Sequence, residues 1–196
     1  MKILHIDSST NGSDSVSREL TAAIIEHLRE KNPDAEVTYL DLEASPLAHI
    51  DEVSTGAIRK PVEDQTDAMR AAAPAERAVL EQFLAHDTIV VGAPMYNFTV
   101  PSTLSAWMDR LGVPRVTFRY GENGAEGLVK GKRVIIASAR GGQYDFDALA
   151  ENQESLLKAF FGFIGVEDLH FIRAEKTNSG DRDEQIAKAK REIEKL

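Results

Sequence analysis

Short apolar runs of strand length alternate with helical stripes along the whole chain, and this alternation constrains the fold more than any other feature. Ile3-Leu4-His5-Ile6, Val37-Thr38-Tyr39-Leu40, Ile89-Val90-Val91, Val134-Ile135-Ile136 and Leu169-His170-Phe171-Ile172 are mostly rich in β-branched residues and read as strands. Between them Leu20, Ile24 and Leu28 recur at helical spacing. Val79, Leu80, Phe83 and Leu84 share one helical face, as do Leu104, Trp107, Met108 and Leu111, and then Leu149, Leu156, Leu157, Phe160 and Phe161. The charged tail Gly180–Leu196 reads as a surface helix that turns Ile186 and Ile193 inward. Strands this continuously apolar are buried on both faces, which requires a parallel sheet covered by helices.

Five strands and about five helices make an α/β domain of flavodoxin-like type, an open doubly wound sheet of five parallel strands with helices on both faces. At 196 residues the chain is one domain, residues 1–196. Two stretches break the alternation. Glu43–Gln65 is polar, holds Pro46 and Pro61, and reads as a long loop with at most one helical turn. Val113–Lys132 holds a strand-like Val116–Tyr120 run before Gly121-Glu122-Asn123-Gly124, the pattern of a hairpin excursion. Pro74 either starts or kinks its helix.

Composition removes whole classes of chemistry. Without cysteine there is no disulfide, thiol nucleophile, iron–sulfur ligation or cysteine zinc site, which suits a reducing compartment. A formal net charge of -9 repels a phosphate backbone, so no nucleic-acid partner is expected. No apolar run approaches the ~18 residues that span a bilayer, and Met1–Asp7 enters a strand pattern at once. The expectation is a cytoplasmic protein with no membrane partner. The five histidines show neither HxH nor HExxH spacing, so no metal site is expected. His5 and His170 read as core or near-core strand residues.

Ligands of open α/β sheets bind beyond the carboxyl ends of the strands, where strand order reverses. Three loops at such ends have unusual composition. Ser8–Ser17 brings many hydroxyls to a helix N-terminus, where backbone N–H groups and the dipole favour an anion. It lacks both GxGxxG and GxxxxGK[ST] and has no lysine, which suits a terminal phosphate monoester held by neutral donors. Ser15 or Ser17 could instead serve only as a helix cap. Gly92–Pro101 exposes Met95-Tyr96-Asn97-Phe98 above the sheet, apolar and aromatic groups able to pack on a flat ring while Asn97 addresses a polar edge. Ser138-Ala139-Arg140-Gly141-Gly142 lets backbone approach a planar ligand and aim N–H donors at it, unless it is a plain turn. A phosphate end, a flat apolar face and a donor-rich edge are the parts of FMN.

The chain resembles the FMN-dependent NADH-azoreductase family over essentially its whole length. The resemblance is carried by Ala93-Pro94-Met95-Tyr96-Asn97-Phe98, Val116–Tyr120 with Glu122-Asn123-Gly124, Arg140-Gly141-Gly142 and Gly162-Phe163-Ile164-Gly165. It implies two-electron, ping-pong reduction of quinones and aromatic azo compounds by FMN, with NADH or NADPH as donor. It implies FMN contacts at Ser9, Ser15, Val16, Ser17, Met95, Tyr96, Asn97, Phe98, Ala139, Arg140, Gly141 and Gly142. Alanine stands at 139 where the family often has serine, so contact there falls to the backbone. The resemblance also implies a homodimer with its active site at the interface, and aromatic residues shaping the substrate face, for which Tyr120 and Phe161 are the candidates. No side-chain acid or base stands out as catalytic, which suits hydride chemistry carried by the flavin. Trp107 reads as packing, with a dimer contact as the other option. The alternative function is a one-electron carrier serving a protein partner.

Overall fold

Each apolar run becomes a strand of one parallel sheet. The computed structural model describes residues 1–122, 124–144, 149–178 and 180–196. Its elements are β1 (Lys2–Asp7), α1 (Val16–Lys31), β2 (Glu36–Asp41), α2 (Glu52–Arg59), α3 (Asp67–Leu84), β3 (Thr88–Pro94), α4 (Ser102–Met108), β4 (Phe118–Gly121), β5 (Gly124–Gly127), β6 (Arg133–Ala139), α5 (Gln153–Ile164), β7 (Asp168–Ala174) and α6 (Arg182–Ile193). The main sheet has the order β2-β1-β3-β6-β7, every pair parallel. Strand order therefore reverses beside β1, and the carboxyl ends of β1 and β3 flank the crevice where such sheets bind ligands.

Successive strand residues face opposite layers, and the core divides accordingly. Ile89, Val91, Val134 and Ile136 meet Leu80, Phe83, Leu104, Trp107, Leu157 and Phe161 on one face. Val90, Ile135 and Ile172 meet Leu20, Ile24 and Leu28 of α1 and Ile186 and Ile193 of α6 on the other. Each such buried side chain contributes about 1.5–3 kcal/mol of transfer free energy.

Several expectations need correction. Glu43–Gln65 holds α2, a two-turn helix with a capping box in which the Asp51 carboxylate accepts from Ser54 N at 2.8 Å and Ser54 Oγ accepts from Asp51 N at 2.7 Å. Polar composition concealed it, because its inward face is made of Gly56, Ala57 and Ile58. Of the two options for Pro74, it does not start its helix, since it lies inside α3. Leu149 does not join the α5 stripe; it precedes the helix and is fully exposed. His170 is not in the core but half-exposed on the edge strand, hydrogen-bonded to Asp168. Trp107 is wholly buried, edge-on to Phe83 at 6.0 Å, which leaves it no surface for a dimer contact.

The excursion after α4 is the antiparallel hairpin β4–β5. Within its expected turn, Asn123 lies outside the described residues. The hairpin docks where Val129 N donates to Ile164 O at 2.9 Å, and Gly127 packs on Gly165, the left-handed C-cap of α5 with φ +99°. A Cβ at either glycine would overlap the backbone of the other. Gly127→Ala is accordingly expected to destabilise the protein by about 1–3 kcal/mol, the range for overpacking. A Tm lowered by about 2–12 °C in a thermal melt would follow for a chain of this size. An unshifted Tm would show that the hairpin adds nothing to stability.

Candidate functional site

Four loops meet beyond the carboxyl ends of β1, β3, β6 and β7 and line a cleft of about 130 Å³. Ser9, Ser15, Val16, Ser17, Met95, Tyr96, Ala139, Arg140 and Gly141 line it, all of them expected. Its remaining walls are Asn11, Asp14, Pro94, Thr177, Asn178 and Arg182.

The first loop ends on the N-terminus of α1. Ser15 is the N-cap: its hydroxyl accepts from Arg18 N at 3.3 Å. Ser17 is not the cap. Its hydroxyl lies 3.1 Å from Ser15 Oγ, buried within the cleft wall. The N–H groups of Val16 and Ser17 belong to the first turn, where no intrahelical acceptor exists, and they find no other partner among the described residues. Two hydroxyls and two N–H groups thus converge at the positive end of a helix dipole, a site suited to an anion.

The base of this loop is fastened from below. Arg18 donates to Ser9 O at 2.8 Å and makes a bidentate pair with Asp41 at 2.7 and 2.8 Å. That hydrogen bond holds the Asp41 carboxyl at about 2, against the opposing effect of burial. Burial and the neighbouring Asp7 carboxylate push the Tyr39 phenol up to about 12.

The second loop is a two-residue turn. Tyr96 and Thr99 exchange backbone hydrogen bonds at 2.9 and 3.1 Å, and the central Asn97 and Phe98 have φ of +48° and +69°. These left-handed values are those of a type I′ turn, uncommon for phenylalanine. The Tyr96 hydroxyl reaches back to Ser9 Oγ at 3.2 Å and Thr10 N at 3.0 Å, joining the second loop to the first. Burial pushes this phenol up, but the hydrogen bonds from Ser9 and Thr10 outweigh it and hold it below the usual tyrosine value. Met95 N donates to Ala139 O at 2.8 Å, joining the second loop to the third. Asn97 and Phe98 themselves are exposed at the rim and do not line the cleft.

The third loop contributes backbone rather than the Arg140 side chain. That guanidinium is fully buried beneath the cleft, 2.8 Å from Glu151, 2.9 Å from Glu154 and 2.8 Å from Gln153 Oε1. Gln153 also accepts from Ser138 Oγ and donates to Ala93 O at 2.7 Å, so one buried amide orders the ends of β3 and β6 together. An apolar-period reading could not find Gln153, Glu151 or Glu154, which are polar groups facing inward. A Cβ at Gly141 would meet the Asn178 side chain, with its amide nitrogen 2.7 Å away. Close packing, not a positive φ, is what favours glycine there, since a larger residue would displace the Asn178 side chain. Gly142 abuts Tyr144 and lies outside the cleft.

The fourth loop was missed. Thr177 N and Oγ1 donate to Arg140 O at 3.1 and 2.9 Å, and Asn178 N donates to Gly141 O at 3.2 Å. Its signal was available: Thr177-Asn178 follows the fifth strand on the same edge of the sheet as the other three loops.

The two expected substrate-face aromatics part company. Tyr120 is 78% exposed on β4 and does not line the cleft. Phe161 is wholly buried among core side chains of α5, so it cannot present a ring to a substrate. Its neighbours on the helix, Phe160 and Phe163, instead border a second hollow with Arg59, Met108, Asp109, Gly112 and Phe118. A one-residue step along a helix turns a side chain by about 100°, which is what separates Phe160 from Phe161.

The family model described as a flavodoxin-like fold matches residues 1–196. An FMN-dependent NADH:quinone oxidoreductase of Rhizobium meliloti (strain 1021) is 51% identical over 197 aligned positions, covering 98% of this chain and 94% of that one. A protein of the same description from Xanthomonas axonopodis pv. citri (strain 306) is 50% identical over 89% of this chain and 85% of its own. Among solved structures, an azoreductase from Bacillus anthracis superposes with a TM-score of 0.90 at 26% identity, covering 100% of this chain and 97% of that one. An FMN-dependent NADH-azoreductase from Bacillus anthracis in complex with FMN superposes at 0.86 with 28% identity, covering 99% and 96%.

Proposed function

The chain belongs to the flavodoxin-like family, and on that premise we propose that it is an FMN-dependent NAD(P)H oxidoreductase reducing quinones and aromatic azo compounds. One observation carries the reading: a buried pair of serine hydroxyls at a helix N-terminus opens into the same cleft as Met95, Tyr96 and the Ala139–Gly141 backbone. These groups fit the cofactor part by part. Ser15, Ser17 and the N–H groups of Val16 and Ser17 would take the phosphate. Met95 and Tyr96 would support the flat ring, with Asn97 and Phe98 at its rim, and the backbone of residues 139–141 would serve its polar edge. The relatives at about half identity bear the names of NADH:quinone oxidoreductases, which favours turnover of small molecules over a carrier serving a protein partner.

FMN bound here would supply two-electron redox chemistry between NAD(P)H and the acceptor. The chain's own part is to bind, orient and polarise. The Tyr96 and Met95 hydrogen bonds fix the spacing of the three loops, and the buried Gln153 and Arg140 hold the third loop from beneath. Partial positive charge at the Gly141 backbone, which lines the cleft, would stabilise negative charge developing on the polar edge of the ring.

The cleft of about 130 Å³ is smaller than the roughly 300–1,000 Å³ of complete small-molecule sites. That favours a second copy completing the substrate face, with exposed Tyr120 and the hollow of Phe160 and Phe163 among the surfaces available to it. A homodimer would have twice the 21.6 kDa of the chain in light scattering. No helix among the described residues is long and apolar enough to cross a membrane, which is compatible with a cytoplasmic site of action.

The decisive observation is the visible spectrum of the purified protein before and after anaerobic NADH. A yellow protein bleached by NADH supports the assignment; a colourless one that ignores added FMN removes it. Because the sheet backs the cleft, donor and acceptor must approach from the same outer side. Steady-state kinetics should therefore be ping-pong, with parallel double-reciprocal lines when a quinone is varied at several NADH concentrations. Intersecting lines would mean simultaneous binding and would exclude a shared approach.

A further inference from the structure

The phosphate end of the cleft is short of positive charge. Asp14 lines it, Asp181 caps the adjoining helix α6, and the first turn of that helix carries Asp183 and Glu184. The chain as a whole bears a formal charge of -9. A phosphate dianion entering here meets repulsion that neutral hydroxyls and N–H groups alone must offset. Two arginines line the cleft, and Arg140 is committed beneath it to Glu151 and Glu154. The nearby Arg18 is likewise taken by Asp41 and Ser9 O. Arg182 differs from both. It is exposed, has no carboxylate partner among the described residues, and donates from its guanidinium to Asp14 O at 3.2 Å. It thus reaches from the first residue of α6 to the opposite wall, the turn that precedes α1.

We infer that Arg182 is a specificity-determining residue which makes this cleft select a phosphorylated flavin over an unphosphorylated one. The guanidinium adds a fixed positive charge at the mouth of a site otherwise built from neutral donors, and it offsets Asp14 on the same rim. Its planar fork keeps donors available for phosphate oxygens beyond the one spent on Asp14 O. The inference rests on the cofactor reading above.

The test compares FMN with riboflavin, which differ only by the phosphate, using flavin fluorescence quenching on the apoprotein. Arg182→Gln is expected to weaken FMN by about 10- to 20-fold, the lower part of the range for charge-assisted hydrogen bonds because the guanidinium is solvent-exposed. Riboflavin affinity should stay unchanged, and Arg182→Lys should recover part of the FMN loss. The wild-type protein should also lose FMN affinity as salt rises, more steeply than Arg182→Gln does. Equal weakening of both flavins would mean that Arg182 only braces the Asp14 turn, and would overturn the inference. So would FMN affinity unaltered in Arg182→Gln while the wild type binds FMN tightly. Wild-type protein that binds neither flavin would overturn the cofactor reading itself, and this inference with it.

Discussion

Ser17→Asp is expected to purify without FMN while keeping its fold. The tertiary structure makes this substitution informative, because capping of α1 belongs to Ser15 and the Ser17 hydroxyl is left to the cleft. A carboxylate at 17 would place like charge beside the phosphate and remove a donor to an anion. The donor alone is worth about 1.5–3 kcal/mol. Ser17→Ala should therefore weaken FMN by roughly 10- to 150-fold, at tenfold per 1.4 kcal/mol. Far-UV circular dichroism should be unchanged in both, and fluorescence quenching should report the losses. FMN affinity equal to wild type in both variants would falsify the phosphate assignment.

Arg140→Met is expected to have the largest effect on stability. The guanidinium is wholly buried between Glu151 and Glu154, with Gln153 at 2.8 Å. Glu154 keeps Arg173, at 2.7 Å, when Arg140 is removed, but Glu151 is left with only uncharged donors from residues 154 and 155. Breaking a buried pair in this way costs about 3–5 kcal/mol. The pH dependence follows from Glu151. Burial pushes its carboxyl up, but the Glu154 N–H, the Ser155 hydroxyl and Arg140 together hold it below the usual glutamate value. A depressed carboxyl contributes stability above its unfolded value and loses it as pH falls through the folded one. The wild type should therefore lose more stability on acidification than Arg140→Met does. Urea melts should show the gap between them widest near neutral pH and narrowing as pH falls below the ordinary glutamate range. A gap that is constant with pH would mean that lost packing, not an unpaired carboxylate, accounts for the cost. Because the Arg140 backbone lines the cleft, FMN retention should fall as well.

Arg140 also marks the boundary of what could be read from residue order. Its place in a site loop was legible, since the loop follows an apolar strand and carries two glycines. The direction of its side chain was not, because nothing local says whether a guanidinium turns to a ligand or to carboxylates eleven and fourteen residues further on. Ser15 and Ser17 pose the same problem on a smaller scale. Both suit a cap, and only the φ/ψ values at the helix start assign that role to Ser15.

By itself, the sequence determined the strands, most of the helices, the parallel sheet and three of the four loops around the cleft. Those follow from periodicity and from Gly, Pro and Ser placement, which act over a few residues. α2 escaped because Ile58 is the one large apolar residue on a buried face otherwise made of Ser54, Gly56 and Ala57, too little for a periodic stripe. The tertiary structure alone decided that Phe161 packs in the core and leaves Phe160 at a surface hollow, and that Gly141 makes room for Asn178. It also decided that Arg182 reaches across to Asp14, 168 residues away in the chain. Each of these is a contact between elements distant in sequence. The energy of such a contact depends on how packed layers meet, and no local pattern records that.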